Sequence, residues 1–122
     1  MPFELKKKET YIHIRFLGIL ESRDLKILFP ELRKLENNNQ FIFNKITTLS
    51  DITDFVLQFS AMLPAVQDRG LEEFQKSFKS AIVASRPIER AVAGMLQNLN
   101  MNPNIIIKIF PNLTEAEEWV KE

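Results

Sequence analysis

Two short apolar runs bracket one stretch of helical period in the second half of the chain. Ala81-Ile82-Val83-Ala84 is the first run, and Ile105-Ile106-Ile107 with Ile109 and Phe110 is the second. Between them Ile88, Val92, Met95, Leu96 and Leu99 recur at three- and four-residue spacing, the stripe of an amphipathic helix. Pro87 suits the first helical position, with Ser85 or Arg86 as the cap. A strand, a helix and a second strand favour parallel pairing, because the helix returns the chain to the end of the sheet it left. Runs without polar alternation belong to strands covered on both faces. This unit confines the chain to α/β architectures.

The remaining segments extend the same theme. Phe3 to Lys7 alternates as an edge strand would. Tyr11 to Phe16 alternates more clearly, with Ile12, Ile14 and Phe16 on one face and Tyr11, His13 and Arg15 on the other. Lys6 to Thr10 is a polar turn whose lysines also suit a protected sheet edge. After Gly18, the spacing of Leu25, Leu28, Phe29, Leu32 and Leu35 predicts a helix, with Ser22 as its cap and Asn37 to Asn39 as its stop. Pro30 is expected to kink that helix or divide it. Phe41, Ile42, Phe43 and Ile46 predict a central strand. Ile52, Phe55, Val56, Phe59 and Leu63, then Leu71, Phe74 and Phe78 beyond Pro64 and Gly70, predict a broken helical pair over 51–78. Thr114 to Glu117 reads as a capping box, threonine capping and glutamate reaching back, and Trp119 and Val120 anchor a last helix. The predicted order is ββαβ(αα)βαβα: a mostly parallel mixed sheet of about five strands, covered by helices, as a single domain over 1–122.

Composition narrows the function classes. With 122 residues, 45% of them hydrophobic, the chain has material for a core without staples. It has no cysteine, which removes disulfides, thiolate zinc sites and cysteine nucleophiles. Sixteen basic residues balance sixteen acidic ones, against the basic excess of a nucleic-acid binder. The opening MPFELKKKET is too charged for a signal peptide, and no apolar stretch approaches the ~18 residues of a membrane span. The expectation is a cytoplasmic protein with no integral membrane segment. Ten phenylalanines against one tyrosine and one tryptophan point to a dry, bulky interior or an apolar pocket.

Particular stretches carry a resemblance. Ala81 to Ser85 with the helix from Pro87, and Ile109-Phe110-Pro111-Asn112-Leu113-Thr114-Glu115-Ala116-Glu117-Glu118-Trp119-Val120, resemble the SpoIIAA-like branch of the STAS fold, as does Gly18-x-Leu20 ahead of a helix carrying Pro30. The resemblance implies a small, cofactor-free, non-enzymatic interaction module. Its best-known members are anti-sigma-factor antagonists, switched by phosphorylation of a serine at the start of the helix after the third strand. The fold is also similar to the lipid-binding core of CRAL-TRIO transfer domains.

Four groups of residues are candidates. By position, the corner Thr47 to Thr53 matches the phosphorylated one, so Thr48, Ser50 and Thr53 are the hydroxyls of a phospho-switch. The residues here run Leu-Ser-Asp-Ile-Thr-Asp, with no glycine where the family has an Asp-Ser-Ser-Gly-like motif, and Ser50 or Asp51 also serves as a plain helix cap. Phe55, Phe59, Met62, Leu63, Phe74 and Phe78 form the surface expected to take a small apolar ligand, a protein partner or a second copy in a homodimer, unless they are only core. Arg86 and Arg90 stand at a strand-to-helix corner and are expected to contact an anion or to pair with neighbouring acids. His13 reads as a surface histidine, and the carboxylates Asp51, Asp54, Glu72 and Glu73 as residues of first helical turns.

Overall fold

The structure is a computed structural model that describes residues 3–38, 43–74 and 76–122. The elements run β1 (Phe3–Lys7), β2 (Tyr11–Phe16), β3 (Gly18–Glu21), α1 (Arg23–Asn38), β4 (Asn44–Thr48), β5 (Ile52–Val56), α2 (Phe59–Gly70), β6 (Phe78–Val83), α3 (Pro87–Leu99), β7 (Ile105–Phe110) and α4 (Leu113–Lys121). Five strands form the main sheet in the order β1-β2-β4-β6-β7. The first pair is antiparallel, joined by the polar Lys8–Thr10 turn, and the others are parallel.

Side chains alternate across this sheet, so each strand feeds two cores. Ile12, Ile14, Phe16 and Ile82 face one side, where Leu25, Leu28 and Leu32 of α1, Met62 and Val66 of α2 and Ala93 of α3 cover them. Tyr11, Ile46, Ala81 and Val83 face the other, under Ala116 and Val120 of α4. Tyr11, expected on a polar face, is therefore buried. Asn44 ties the layers at the start of β4: its Nδ2 donates to Val120 O at 2.8 Å and its Oδ1 accepts from Lys79 N at 2.9 Å.

The segment 51–78 departs from the predicted helical pair. Ile52–Val56 is a strand that pairs in parallel with β3, and these two make a separate ribbon. The spacing of Ile52, Phe55, Val56 and Phe59 is that of a helical stripe, and Asp54 breaks the alternation of a strand, so the local pattern favours the wrong element. The free edge of Gly18–Glu21 decides it, with Gly18 at φ +68° turning the chain out of β2. Residues 71–74 and 76–77 carry no helix. Asn102 and Asn104 hold them instead, donating from their Nδ2 atoms to Glu72 O at 2.8 Å and Phe74 O at 3.0 Å. Phe78 belongs to β6. The central strand begins later than expected, at Asn44, and of the residues assigned to it Phe41 and Ile42 lie outside the described residues.

Neither Pro30 nor Pro64 ends its helix. Both are exposed, as are Lys26 and Ser60 four residues earlier, so water reaches the carbonyls that lose an amide partner. Two caps also differ from expectation. Ser22 Oγ accepts from Gln58 N at 2.7 Å, joining the starts of α1 and α2. At α4 the cap is Asn112, whose Oδ1 accepts from Glu115 N at 2.9 Å, two residues before the threonine expected there.

The outer side of β7 ends the sheet. Two carbonyls on that strand are occupied by side chains: Gln97 Nε2 donates to Ile107 O and Asn100 Nδ2 to Ile105 O, each at 2.9 Å.

Candidate functional site

A cavity of about 110 Å³ lies between the sheet and the helices α1, α2 and α3. Leu25, Leu28, Phe29 and Leu32 of α1 wall one side and Val66 of α2 another. Leu96 closes it from α3, and Ile14, Phe16, Ile82, Ile105 and Ile107 floor it from the strands. Among these apolar groups stand Lys45, Thr47, Arg69, Ser80 and Asn100.

Lys45 and Arg69 belong to a chain of ion pairs. Lys45 Nζ donates to Glu36 Oε2, and the two side chains are 1% and 2% exposed. Arg69 donates to both oxygens of Glu36, at 2.9 and 2.8 Å, in the forked geometry that guanidinium and carboxylate share. It also donates to Glu72 at 3.0 Å, and Glu72 accepts from Arg33 Nε at 3.1 Å. The Phe78 ring lies 3.7 Å from Lys45 Nζ, and the rings of Phe74 and Phe29 stand 5.2 and 5.9 Å from the Arg69 guanidinium. Burial drives the Lys45 ammonium down to about 8, against the attraction of Glu36. Burial would raise the Glu36 carboxyl, but hydrogen bonds from Arg69 and the charges of Lys45 and Arg69 outweigh it and hold the group below its usual range.

The charged end sits near the amino ends of the parallel strands, at Lys45, Phe78 and Ile105. Open α/β sheets more often bind ligands at the carboxyl edge. Of the residues expected there, Arg86 reaches the turn that carries Ser50. Ser50 is exposed in the β4–β5 turn, and Thr53 is exposed on β5. Thr48 is buried, its Oγ1 3.0 Å from Nε2 of the half-buried His13. No helix starts at Ser50, so neither it nor Asp51 caps one; Asp51 accepts from Arg15 Nε at 2.7 Å. Asp54 lies on β5, and Glu72 and Glu73 follow the last turn of α2. Arg86 Nε donates to Glu89, Arg86 Nη2 donates to Ile52 O at 2.7 Å, and Arg90 donates to Ser85 O. Glu89 is 1% exposed and also accepts from Ser85 N at 3.2 Å, so it reaches back as a capping glutamate.

The Phe-rich set is dispersed. Phe78 lines the cavity, Phe74 meets Phe78 edge to face at 5.0 Å, and Met62 is buried in the core. Phe55 and Leu63 are half-buried. Phe59 is 53% exposed and borders an open depression with Arg90, Gly94 and Met95.

Lys45, Glu36 and Arg69 were not singled out by the sequence reading, although a signal exists. Leu28, Leu32 and Glu36 continue one helical stripe, as do Met62, Val66 and Arg69, so each apolar face ends in a charge. Lys45 stands beside Ile46 on a strand expected to be central and buried. Buried charges need partners, and these three charges are one another's partners.

No family model matches the chain, and no curated protein matches it. Among solved structures, the chain is similar to an uncharacterized protein of the DUF3478 family with a SpoIIAA-like fold from Shewanella loihica PV-4. The identity is 16%, the TM-score 0.61, and 97% of this chain and 91% of that one are covered. It is also similar to the anti-sigma factor antagonist SpoIIAA in its unphosphorylated form, at 14% identity and TM-score 0.63, over 98% of this chain and 97% of that one. These likenesses show a SpoIIAA-like, STAS-like fold. Among the described residues no helix is long and apolar enough to cross a membrane.

Proposed function

We propose that the chain is a non-enzymatic binding module whose ligand is a small apolar molecule held between the sheet and α1, α2 and α3. The cavity of about 110 Å³ with a mainly apolar wall supports this reading. An apolar cavity of roughly 150 Å³ holds a benzene ring. The space therefore suits a body of a few carbons, and a lipid chain enters only if α2 moves off the sheet. The test is native mass spectrometry of freshly purified protein followed by solvent extraction. A retained small hydrophobe, lost in a folded Val66→Phe variant that fills the space, supports the proposal. A bare mass, together with no rise in melting temperature on adding small alcohols, rules it out. The same spectrum reads oligomeric state. A dimer broken by Phe59→Asp would place a partner surface on the exposed Phe59 instead.

A second reading rests on Ser50. Its hydroxyl is exposed in the turn beside the Arg15–Asp51 ion pair, and the SpoIIAA structure to which the fold is similar is described as an unphosphorylated form. A phosphate on Ser50 would compete with Asp51 for Arg15. Intact-mass and fragment analysis of protein from its native cells tests this. A single phosphate mapped to Ser50 or Thr53 favours a regulatory switch, and an unmodified turn under all growth conditions removes it.

A further inference from the structure

We infer that the cavity selects a short-chain carboxylate, an anion with an apolar body of four or five carbons, over neutral and cationic molecules of the same shape. This deepens the small-molecule reading above and rests on it. The observation is the polarity of the ion-pair cluster. Two of its three cations, Lys45 and Arg69, line the cavity. Its carboxylates Glu36 and Glu72 do not; they border a separate outer depression with Arg33, Asn37 and Phe74. The cavity wall thus presents two cations and two hydroxyls able to donate, those of Thr47 and Ser80, with no carboxylate among them.

Lys45 also has donor capacity left. Among the described residues its ammonium gives one hydrogen bond, to Glu36, while a ring face at 3.7 Å occupies a second direction. An ammonium has three N–H groups. A carboxylate in the cavity would accept the third in a water-poor setting, where charge-assisted bonds are strongest. An amine in the same place would meet two cations. The size limit follows from the scaling with benzene: about 110 Å³ is room for a body of four or five carbons.

A charge ladder on the unmodified protein tests the inference. The probes are 3-methylbutanoate, 3-methylbutan-1-ol and 3-methylbutan-1-amine, titrated by calorimetry at pH 6.5 and low salt. The expected order is acid, then alcohol, then amine, with the acid on the order of tenfold tighter than the alcohol, as for a charge-assisted bond over a neutral one. In a Lys45→Met variant the acid should lose this advantage while the alcohol binds as before. If the alcohol binds as tightly as the acid in the unmodified protein, the charge inference falls and the apolar cavity stands. If none of the three binds, the cavity reading falls with it. Because the ladder uses the unmodified protein, the inference stays testable even if the variant does not fold.

Discussion

Glu36 and Lys45, nine residues apart in the chain, close a buried ion pair across the junction of α1 and β4. Arg69 completes it from α2. One carboxylate thus serves two buried cations, and the partners are unequal. Glu36→Gln strands Lys45 and leaves Arg69 with Glu72 alone, whereas Lys45→Met leaves Glu36 neutralised by Arg69. Breaking a buried pair costs about 3–5 kcal/mol, the loss expected for Glu36→Gln in urea denaturation. Lys45→Met should cost less, within about 1.5 kcal/mol. Equal losses would contradict the shared-carboxylate arrangement.

The Lys45 ammonium predicts an alkaline dependence. Its folded value is about 8, below the ordinary 10.5. Between these values the unfolded chain holds the proton and the folded one has released it. Unfolding then takes up a proton, so stability rises with pH in that window and is flat below it for this group. The slope approaches at most about 1.4 kcal/mol per pH unit. Melting of the wild type compared with Lys45→Met from pH 7 to 10.5 isolates the contribution. A difference that does not grow with pH would mean that Lys45 keeps its proton throughout.

His13 behaves in the same direction at lower pH. Burial lowers its pKa first, and the charges of Lys8, Arg15 and Lys6 add to that. The imidazole should titrate below 6.5 in an NMR series. Below pH 6.5 the unfolded chain gains a proton that the folded one resists, so this group's contribution is lost as pH falls toward its folded value. Lys8→Gln should move the midpoint up; a fixed midpoint would leave burial, Arg15 and Lys6 as the causes.

At α4, alanine scanning distinguishes the two candidate caps. Asn112→Ala removes the acceptor for Glu115 N and should cost about 1 kcal/mol. Thr114→Ala, at an exposed position past the cap, should change stability by less than about 0.5 kcal/mol. The reverse ranking would restore the threonine box.

Much of the fold was legible because period and burial agree. The run Ala81–Ala84, the stripe around Val92 and the strand Ile105–Phe110 each have one economical placement, and the parallel β6-α3-β7 unit followed. The failure at Ile52–Val56 has a physical origin. Those residues carry the helical period, and the partner that makes them a strand, Gly18–Glu21, lies far away in sequence. The polar turn that carries Ser50 was visible, but as the start of a helix rather than a link between two strands. The charged end of the cavity was not. Glu36, Lys45 and Arg69 stand on three separate elements, and only the fold makes them one another's partners.

The capped outer side of β7 has a further consequence, in the ageing of the protein. Ile105-Ile106-Ile107 is a strongly β-prone sequence at the end of a sheet, the position at which another chain adds most readily. What obstructs that growth is a pair of side-chain amides, Gln97 and Asn100. Deamidation converts each from a donor into a carboxylate that faces a carbonyl oxygen and can only repel it. Loss of the Asn100 amide, the more readily deamidated of the two, would uncover the Ile105 carbonyl on the free edge of a β-prone strand.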